Sequence, residues 1–262
     1  QAIPILREAI GLWEALVQKN SGQPWGALLA TGDCGKAEME LGNLLATMGD
    51  LANALTSAGQ HHEALAVGET CVRSQIARGN QREIATSHGI CTSILIAAGR
   101  YEEADVRCAL AVVAARQAGD EGIEGACLQY QGGLAVERKQ LTRAASLFRA
   151  ALKTFQAAGN EVGMMQTYNH LGVVELKEGR LAEARAWHEK SAQLAVHLRD
   201  SFSLGHAVQN VGIVCQREGE VARERGDERA ARLSFYAALR FLEEGLQIRQ
   251  SLDNKADEAA SL

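Results

Sequence analysis

The histidines and cysteines of this chain are the residues whose types could support chemistry. His61, His62 and Glu63 are adjacent and could be imagined as metal ligands, and Cys71 follows closely enough to suggest a nucleophile with a histidine base. A metal site needs side chains that converge on one point, whereas adjacent residues of a helix point in different directions. No third group orients a base near Cys71, and no oxyanion donors are evident. We therefore expect surface or packing roles for these residues.

The short signatures of common enzymes and nucleotide-binding proteins are missing from the sequence. It contains no GxxxxGK[ST] phosphate loop, no GxGxxG after a strand, no HExxH and no GxSxG. His188 occupies a position that Phe148 and Cys108 hold in earlier copies of an internal repeat, which predicts a partly buried packing residue. We expect no enzyme activity, no metal and no cofactor.

Composition limits the possible partners and the kind of core. A hydrophobic fraction of 47% with only 5% aromatic residues favours a core of Ala, Leu and Val between close-packed helices. The net charge of -5 argues against a nucleic-acid or membrane partner, and no apolar run is long enough to span a membrane. Without a CxxC pair, the cysteines are expected to be reduced, buried thiols in a cytoplasmic protein. They are Cys34, Cys71, Cys91, Cys108, Cys127 and Cys215.

The secondary-structure elements that position these residues belong to an internal repeat of about 40 residues. The dipeptides Gly79-Asn80, Gly119-Asp120 and Gly159-Asn160 recur at this spacing, and Arg199-Asp200 keeps the acidic residue without the glycine. Such a glycine can end a helix in the left-handed conformation, and Asn or Asp can cap the next helix. The pattern predicts repeat boundaries at these dipeptides.

Three further columns indicate two helices in each repeat, A and B. A turn column, which we expect to end helix A, contains Gly59, Gly99, Gly179 and Gly219, with Lys139 as the exception. A second column lies five residues later, at Ala64, Ala104, Ala144 and Ala184. A small-residue column in helix A, where the helices of a hairpin must approach closely, contains Ala52, Thr92, Gly132, Gly172 and Gly212.

The order of small and large residues resembles the tetratricopeptide repeat. The segment Tyr168 to Gly172, followed by Gly179, Leu181, Ala184 and Ser191, carries the resemblance, and a second copy runs through Leu128, Gly132, Leu141, Ala144, Phe148 and Ala151. The 40-residue length is similar to the extended branch found in cell-polarity scaffolds and in the sensor arms of bacterial signal-transduction NTPases. The resemblance covers residues 34–262 and implies an all-α, right-handed α-solenoid of antiparallel helix hairpins.

We expect residues 1–33 to form a partial repeat, with a helix B at 4–18, and an irregular connection. Five repeats follow at 34–80, 81–120, 121–160, 161–200 and 201–254, and 255–262 would begin another. Both helices of the fifth repeat are expected to gain seven residues, with the hairpin tip near Arg225-Gly226-Asp227. An alternative register places a break at Gly49-Asp50 instead of lengthening the first helix A.

In tetratricopeptide arrays the concave face is lined by helix A, and the resemblance implies two sets of partner-binding positions here. The first is Gly49, Gly89, Gln129, Asn169 and Gln209, and the second is Asn53, Ser93, Gly133, Val173 and Ile213. The basic members of the family's clamp for a carboxyl terminus are missing, which disfavours that ligand class. The neutral, amide-containing lining could hydrogen-bond a peptide backbone or admit a helix.

The sequence thus predicts a protein-interaction or ligand-sensing scaffold module that binds a protein or peptide partner in its groove. We expect it to be part of a larger signalling protein. The alternative is an intramolecular regulatory arm, whose partner is an NTPase, protease or other effector domain of its own parent protein.

Overall fold

The computed structural model describes residues 2–21, 23–24, 26–27 and 38–260, and these residues contain no β-strand. The helices confirm the predicted all-α class of consecutive helical hairpins. They are α1 (Ala2–Ser21), α2 (Glu38–Ser57), α3 (His61–Arg78), α4 (Gln81–Ala97), α5 (Tyr101–Ala118), α6 (Glu121–Glu137), α7 (Leu141–Ala157), α8 (Glu161–Lys177), α9 (Leu181–Leu198), α10 (Ser201–Glu224) and α11 (Glu228–Ala260). None of the described helices has the length and apolar character needed to cross a bilayer.

The predicted boundary dipeptides end one helix and start the next. Gly79 takes the left-handed conformation with φ of 68°, and the Asn80 side chain accepts a hydrogen bond from the Glu83 amide. The same N-cap bond is made by Asp120, Asn160 and Asp200. Arg199 occupies the glycine position with φ of 56°. The end of one helix and the N-cap of the next are therefore both determined by two adjacent residues.

The fifth hairpin is longer than the others, as predicted. Helix α10 has 24 residues where α8 has 17, and the chain turns at Gly226 with φ of 78°. Gly219, which the sequence placed at a helix end, lies inside α10 instead. A Cβ added to Gly219 would lie 2.8 Å from the Phe235 ring, so this glycine permits close approach of α11 and does not form a turn.

Helix α11 does not end at Asp253-Asn254, where a repeat end was expected. It continues to Ala260, so residues 255–260 extend this helix and do not begin a new one. No glycine is available to take the left-handed conformation there, and the Lys, Glu and Ala residues that follow favour a helix.

Helix α1 packs against α2. Helix α2 runs without interruption through Gly49-Asp50, so the alternative break at that dipeptide is not present. The expected start of the first repeat at residue 34 and the thiol of Cys34 lie outside the described residues.

The chain divides into two compact units, Gln1–Leu134 and Ala135–Leu262. In the first unit, α1 contributes Ile3, Leu6 and Ile10 to a buried cluster around Leu55 and Ala64. In the second unit, glycines of one helix lie under large side chains of the next, as His188 lies over Gly172 and Leu242 over Gly212. These contacts confirm the predicted close approach at the small-residue column in this unit.

Candidate partner-binding surfaces

The first unit contains a groove between α2 and α4, closed at its base by the C-terminal half of α3. Its volume is about 560 Å³. The lining is Gly42, Leu45, Ala46, Gly49, Asp50 and Asn53 from α2, Cys71, Gln75 and Arg78 from α3, Asn80 at the start of α4, and Glu83, Thr86, Ser87 and Ile90 from α4. This volume falls in the range of sites that enclose a small ligand or a few residues of a peptide.

The floor of the groove is apolar and closely packed. Gly49 is buried, and a Cβ at this position would lie 3.2 Å from Ile90 Cδ1. The Cys71 thiol lies 3.8 Å from the Leu45 carbonyl oxygen, and burial raises its pKa to about 12. Because only the thiolate is an effective nucleophile, this cysteine has a packing role at neutral pH, as expected from the sequence.

The rim of the groove carries polar side chains that are not used within the unit. The side chains of Asp50, Asn53 and Glu83 form no hydrogen bond or ion pair with any described residue. Arg78 donates to the Gln75 amide oxygen at 3.3 Å. The rim therefore presents two carboxylates and an amide around the apolar floor.

Six of the ten predicted binding positions fall in the first unit, and two of these, Gly49 and Asn53, line the groove. Ser93 donates its hydroxyl to the Gly89 carbonyl at 3.2 Å on α4, outside the lining. Gln129 and Gly133 are half-buried on α6. The prediction missed the groove residues of α3 because it considered helix A alone. The charged residues were visible in the sequence, but no periodic signal marks which of them reach the groove.

The other four positions lie in the second unit, where Asn169 belongs to a polar network. Its Oδ1 accepts a hydrogen bond from Asn210 Nδ2 at 2.8 Å and lies 3.0 Å from His188 Nδ1. The network therefore joins α8, α9 and α10. Val173, Gln209 and Ile213 are half-buried on α8 and α10. Asn169 thus contributes to packing as well as to the predicted surface.

His188 is fully buried over Gly172, and burial lowers its pKa to about 4. An amide oxygen can only accept, so the neutral ring carries its proton on Nδ1. The other ring nitrogen, Nε2, has no hydrogen-bond partner among the described residues. The predicted packing role of His188 is confirmed, with complete rather than partial burial.

His61, His62 and Glu63 lie in the first turn of α3. Glu63 makes an ion pair with Arg7 of α1, which ties the first helix to α3. Across the part of the chain that the structure describes, no three His, Cys, Asp or Glu side chains are grouped to hold a metal ion. The five cysteines within that part are free and buried.

A family profile described as tetratricopeptide repeat matches two segments of the chain, residues 44–77 and 164–198. The first match spans α2 and α3 and includes half of the residues that line the groove. The second spans α8 and α9 and includes Asn169 and His188. A comparison with curated proteins found no match.

Solved structures share the fold at low sequence identity. BtubC (BKLC) from P. vanneervenii superposes with a TM-score of 0.67 at 19% identity, over 94% of this chain and 92% of that one. A putative kinesin light chain from Podospora anserina with nearly identical TPR-like repeats gives 0.61 at 16% identity, over 80% of this chain and 96% of the other.

A third structure places the same fold in a larger protein. It is the Signal Transduction ATPase with Numerous Domains protein with a tetratricopeptide repeat sensor from Pyrococcus horikoshii, with a TM-score of 0.60 at 17% identity. The match covers 82% of this chain and 36% of that one. The two matched segments resemble the tetratricopeptide repeat, and the chain shares the fold of consecutive helical hairpins with these solved structures.

Proposed function

We propose that this chain is a protein-interaction module and that the groove between α2 and α4 binds a peptide segment of its partner. The observation that carries this proposal is the groove itself, where an apolar floor is surrounded by the unused side chains of Asp50, Asn53 and Glu83. Pockets that bind ligands combine an apolar surface with a few convergent polar groups in this way.

The chemistry of the rim favours a peptide over an apolar ligand. The Asn53 amide can both donate to and accept from a peptide backbone. Asp50 and Glu83 accept hydrogen bonds, and together they outnumber the single positive charge of Arg78 among the lining residues. A segment that carries a Lys or Arg next to its backbone contact with Asn53 complements this arrangement.

A phage-displayed library of linear peptides, selected on the purified chain, tests the proposal. The selected peptide is then titrated against Asn53→Ala and against Asn43→Ala, which removes an exposed asparagine of the same helix outside the groove. Loss of one hydrogen bond should weaken binding about 2- to 10-fold in the Asn53 variant, and the Asn43 variant should bind as the parent does. Equal affinities for the two variants would place the binding site elsewhere.

The proposal extends to the remaining predicted positions as partner-binding positions within each unit. In the first unit these are Gly89, Ser93, Gln129 and Gly133, and in the second unit Asn169, Val173, Gln209 and Ile213. Asn169 has its oxygen occupied within the unit, so its amide N–H groups are the part available to a partner. It would therefore recognise acceptors, such as backbone carbonyl oxygens.

A second candidate is a regulatory arm that binds another domain of its own parent protein. The match to the repeat sensor within a much larger ATPase supports this alternative. The two candidates differ in where the ligand comes from. A peptide from the parent's own sequence that competes with the selected peptide would favour the arm, and its failure to compete would favour a separate partner.

A further inference from the structure

Two of the residues that line the groove between α2 and α4 are polar and almost fully buried. Gln75 of α3 is 4% exposed, and Ser87 of α4 is 6% exposed. The Gln75 amide oxygen accepts a hydrogen bond from Arg78 Nη1 at 3.3 Å. Because a guanidinium can only donate, this contact fixes the orientation of the amide and leaves Nε2 as its unused end.

The remaining polar atoms of these two side chains are unpaired. Neither Gln75 Nε2 nor the Ser87 hydroxyl forms a hydrogen bond with any described residue. Neither atom is fully enclosed by protein, and both residues line the same groove. The base of the groove therefore presents unused N–H and O–H donors.

The repeat does not need a polar residue at position 75. The positions 40, 80 and 120 residues later hold Ala115, Phe155 and Ala195, which are at most 2% exposed. A buried polar group without a hydrogen-bond partner destabilises a fold. Gln75 thus replaces an apolar packing residue at the one repeat position that opens into this groove, which indicates that its partner is supplied by a ligand.

We propose that the base of the groove receives a primary-amide side chain, that of an asparagine or glutamine of the bound peptide. This inference rests on the proposed function of the groove. The ligand's amide oxygen accepts from Gln75 Nε2 and from the Ser87 hydroxyl. Its NH2 group donates towards the carboxylates of Asp50 and Glu83, which line the same groove without partners of their own.

Other kinds of side chain satisfy only part of this arrangement. A carboxylate would accept from Gln75 but would bring its negative charge beside Asp50 and Glu83. A lysine has no acceptor for Gln75 Nε2, so it belongs at the rim. An apolar side chain would leave both donors unpaired. A primary amide carries its acceptor and its donors on separate atoms and can therefore satisfy the base and the carboxylates together.

The main chain of a peptide has the same amide chemistry, and the two sources differ in what a selection returns. A side chain can reach the base formed by α3 while the main chain stays beside Asn53. The phage-displayed library selected on the whole chain distinguishes them. Peptides whose affinity falls with Asn53→Ala should share an asparagine or glutamine at a fixed distance from their Lys or Arg, whereas main-chain recognition would leave no shared amide residue.

A double-mutant cycle tests the contact itself. Gln75→Met removes the donor at similar side-chain volume and should weaken the selected peptide about 5- to 100-fold. Replacing the shared amide residue of the peptide by leucine should weaken binding to the parent by a similar factor. The leucine peptide should then bind the parent and Gln75→Met about equally, because the contact is already lost.

Two serine variants provide a matched comparison. Ser87→Ala should weaken the selected peptide several-fold, whereas Ser74→Ala, which changes a fully buried serine of α3 outside the lining, should bind as the parent does. Urea unfolding should show that Gln75→Met is about as stable as the parent, since the amide nitrogen has no partner within the chain. If that variant does not fold, the comparison of Ser87→Ala with Ser74→Ala decides the question.

The inference is overturned if the Asn53-dependent peptides share no asparagine or glutamine. It is also overturned if the Gln75 and peptide substitutions weaken binding independently, or if Ser87→Ala and Ser74→Ala bind equally. The proposed function would stand in each of these cases. Peptides that bind equally well to Asn53→Ala would instead place the binding site elsewhere, and the proposed function would fail together with this inference.

Discussion

Buried His188 should make the stability of the second unit depend on pH. Its pKa is about 4 in the folded chain and 6.5 when the ring is solvated. A histidine whose folded pKa is lowered contributes stability that is complete above pH 6.5 and is lost as the pH falls from 6.5 towards 4, because the unfolded chain binds the proton first. Linkage gives a loss of about 2 kcal/mol at pH 5 and about 3 kcal/mol below pH 4.

The variant His188→Phe isolates this contribution, since Phe148 fills the equivalent position of an earlier repeat. Urea unfolding followed by circular dichroism at pH 7.5 and pH 5 gives the change in unfolding free energy for each chain. The parent should lose about 2 kcal/mol more than the variant over this interval. His62→Gln removes an exposed histidine and serves as the control.

The reasoning is refuted if the parent and His188→Phe lose the same unfolding free energy between the two pH values. It is also refuted if the parent gains stability relative to the variant on acidification, because that sign would require a proton-binding partner for the imidazole in the folded chain. His88 is also buried in the first unit, with a pKa lowered first by desolvation and then by Arg107. Its effect is common to both chains and cancels in the comparison.

Two further predictions concern the same region. Gly172→Ala should lower the unfolding free energy by about 1 to 3 kcal/mol, because the added Cβ would lie 2.5 Å from the His188 ring. A thermal or urea melt measures this change, and an unchanged melt would mean that the ring moves aside freely. Asn169→Ala should lower the unfolding free energy by about 1 to 3 kcal/mol, because it leaves His188 Nδ1 without a hydrogen-bond partner. Gln209→Ala should be nearly neutral. Equal melts for the two variants would contradict a stabilising role for the hydrogen bonds of Asn169.

The fold was predictable where a structural feature is determined by residues that are adjacent in the sequence. Gly79 followed by Asn80 supplies a left-handed helix end and an N-cap within two positions, so the boundary is encoded locally. Gly219 was misassigned because a glycine serves equally well at a helix end and under a neighbouring aromatic ring. Only the position of Phe235, sixteen residues away in sequence, decides between these uses.

The candidate sites were only partly predictable for a related reason. Asn53 followed from the helix A period, but Asp50 and Glu83 line the same groove from outside the two predicted columns. The hydrogen bonds of Asn169 join residues 19 and 41 positions apart in the sequence. Such contacts depend on the angle between hairpins, which periodicity does not specify.

The buried thiol beneath the groove affects how the groove responds to oxidants. At neutral pH, a thiol with a pKa of about 12 is ionised to roughly one part in a hundred thousand. Peroxide oxidation and disulfide exchange both proceed through the thiolate. Cys71 therefore reacts slowly with either reagent, and the floor formed with Gly49 and Ile90 keeps its shape. Cys71 therefore does not make the shape of the groove sensitive to mild oxidants.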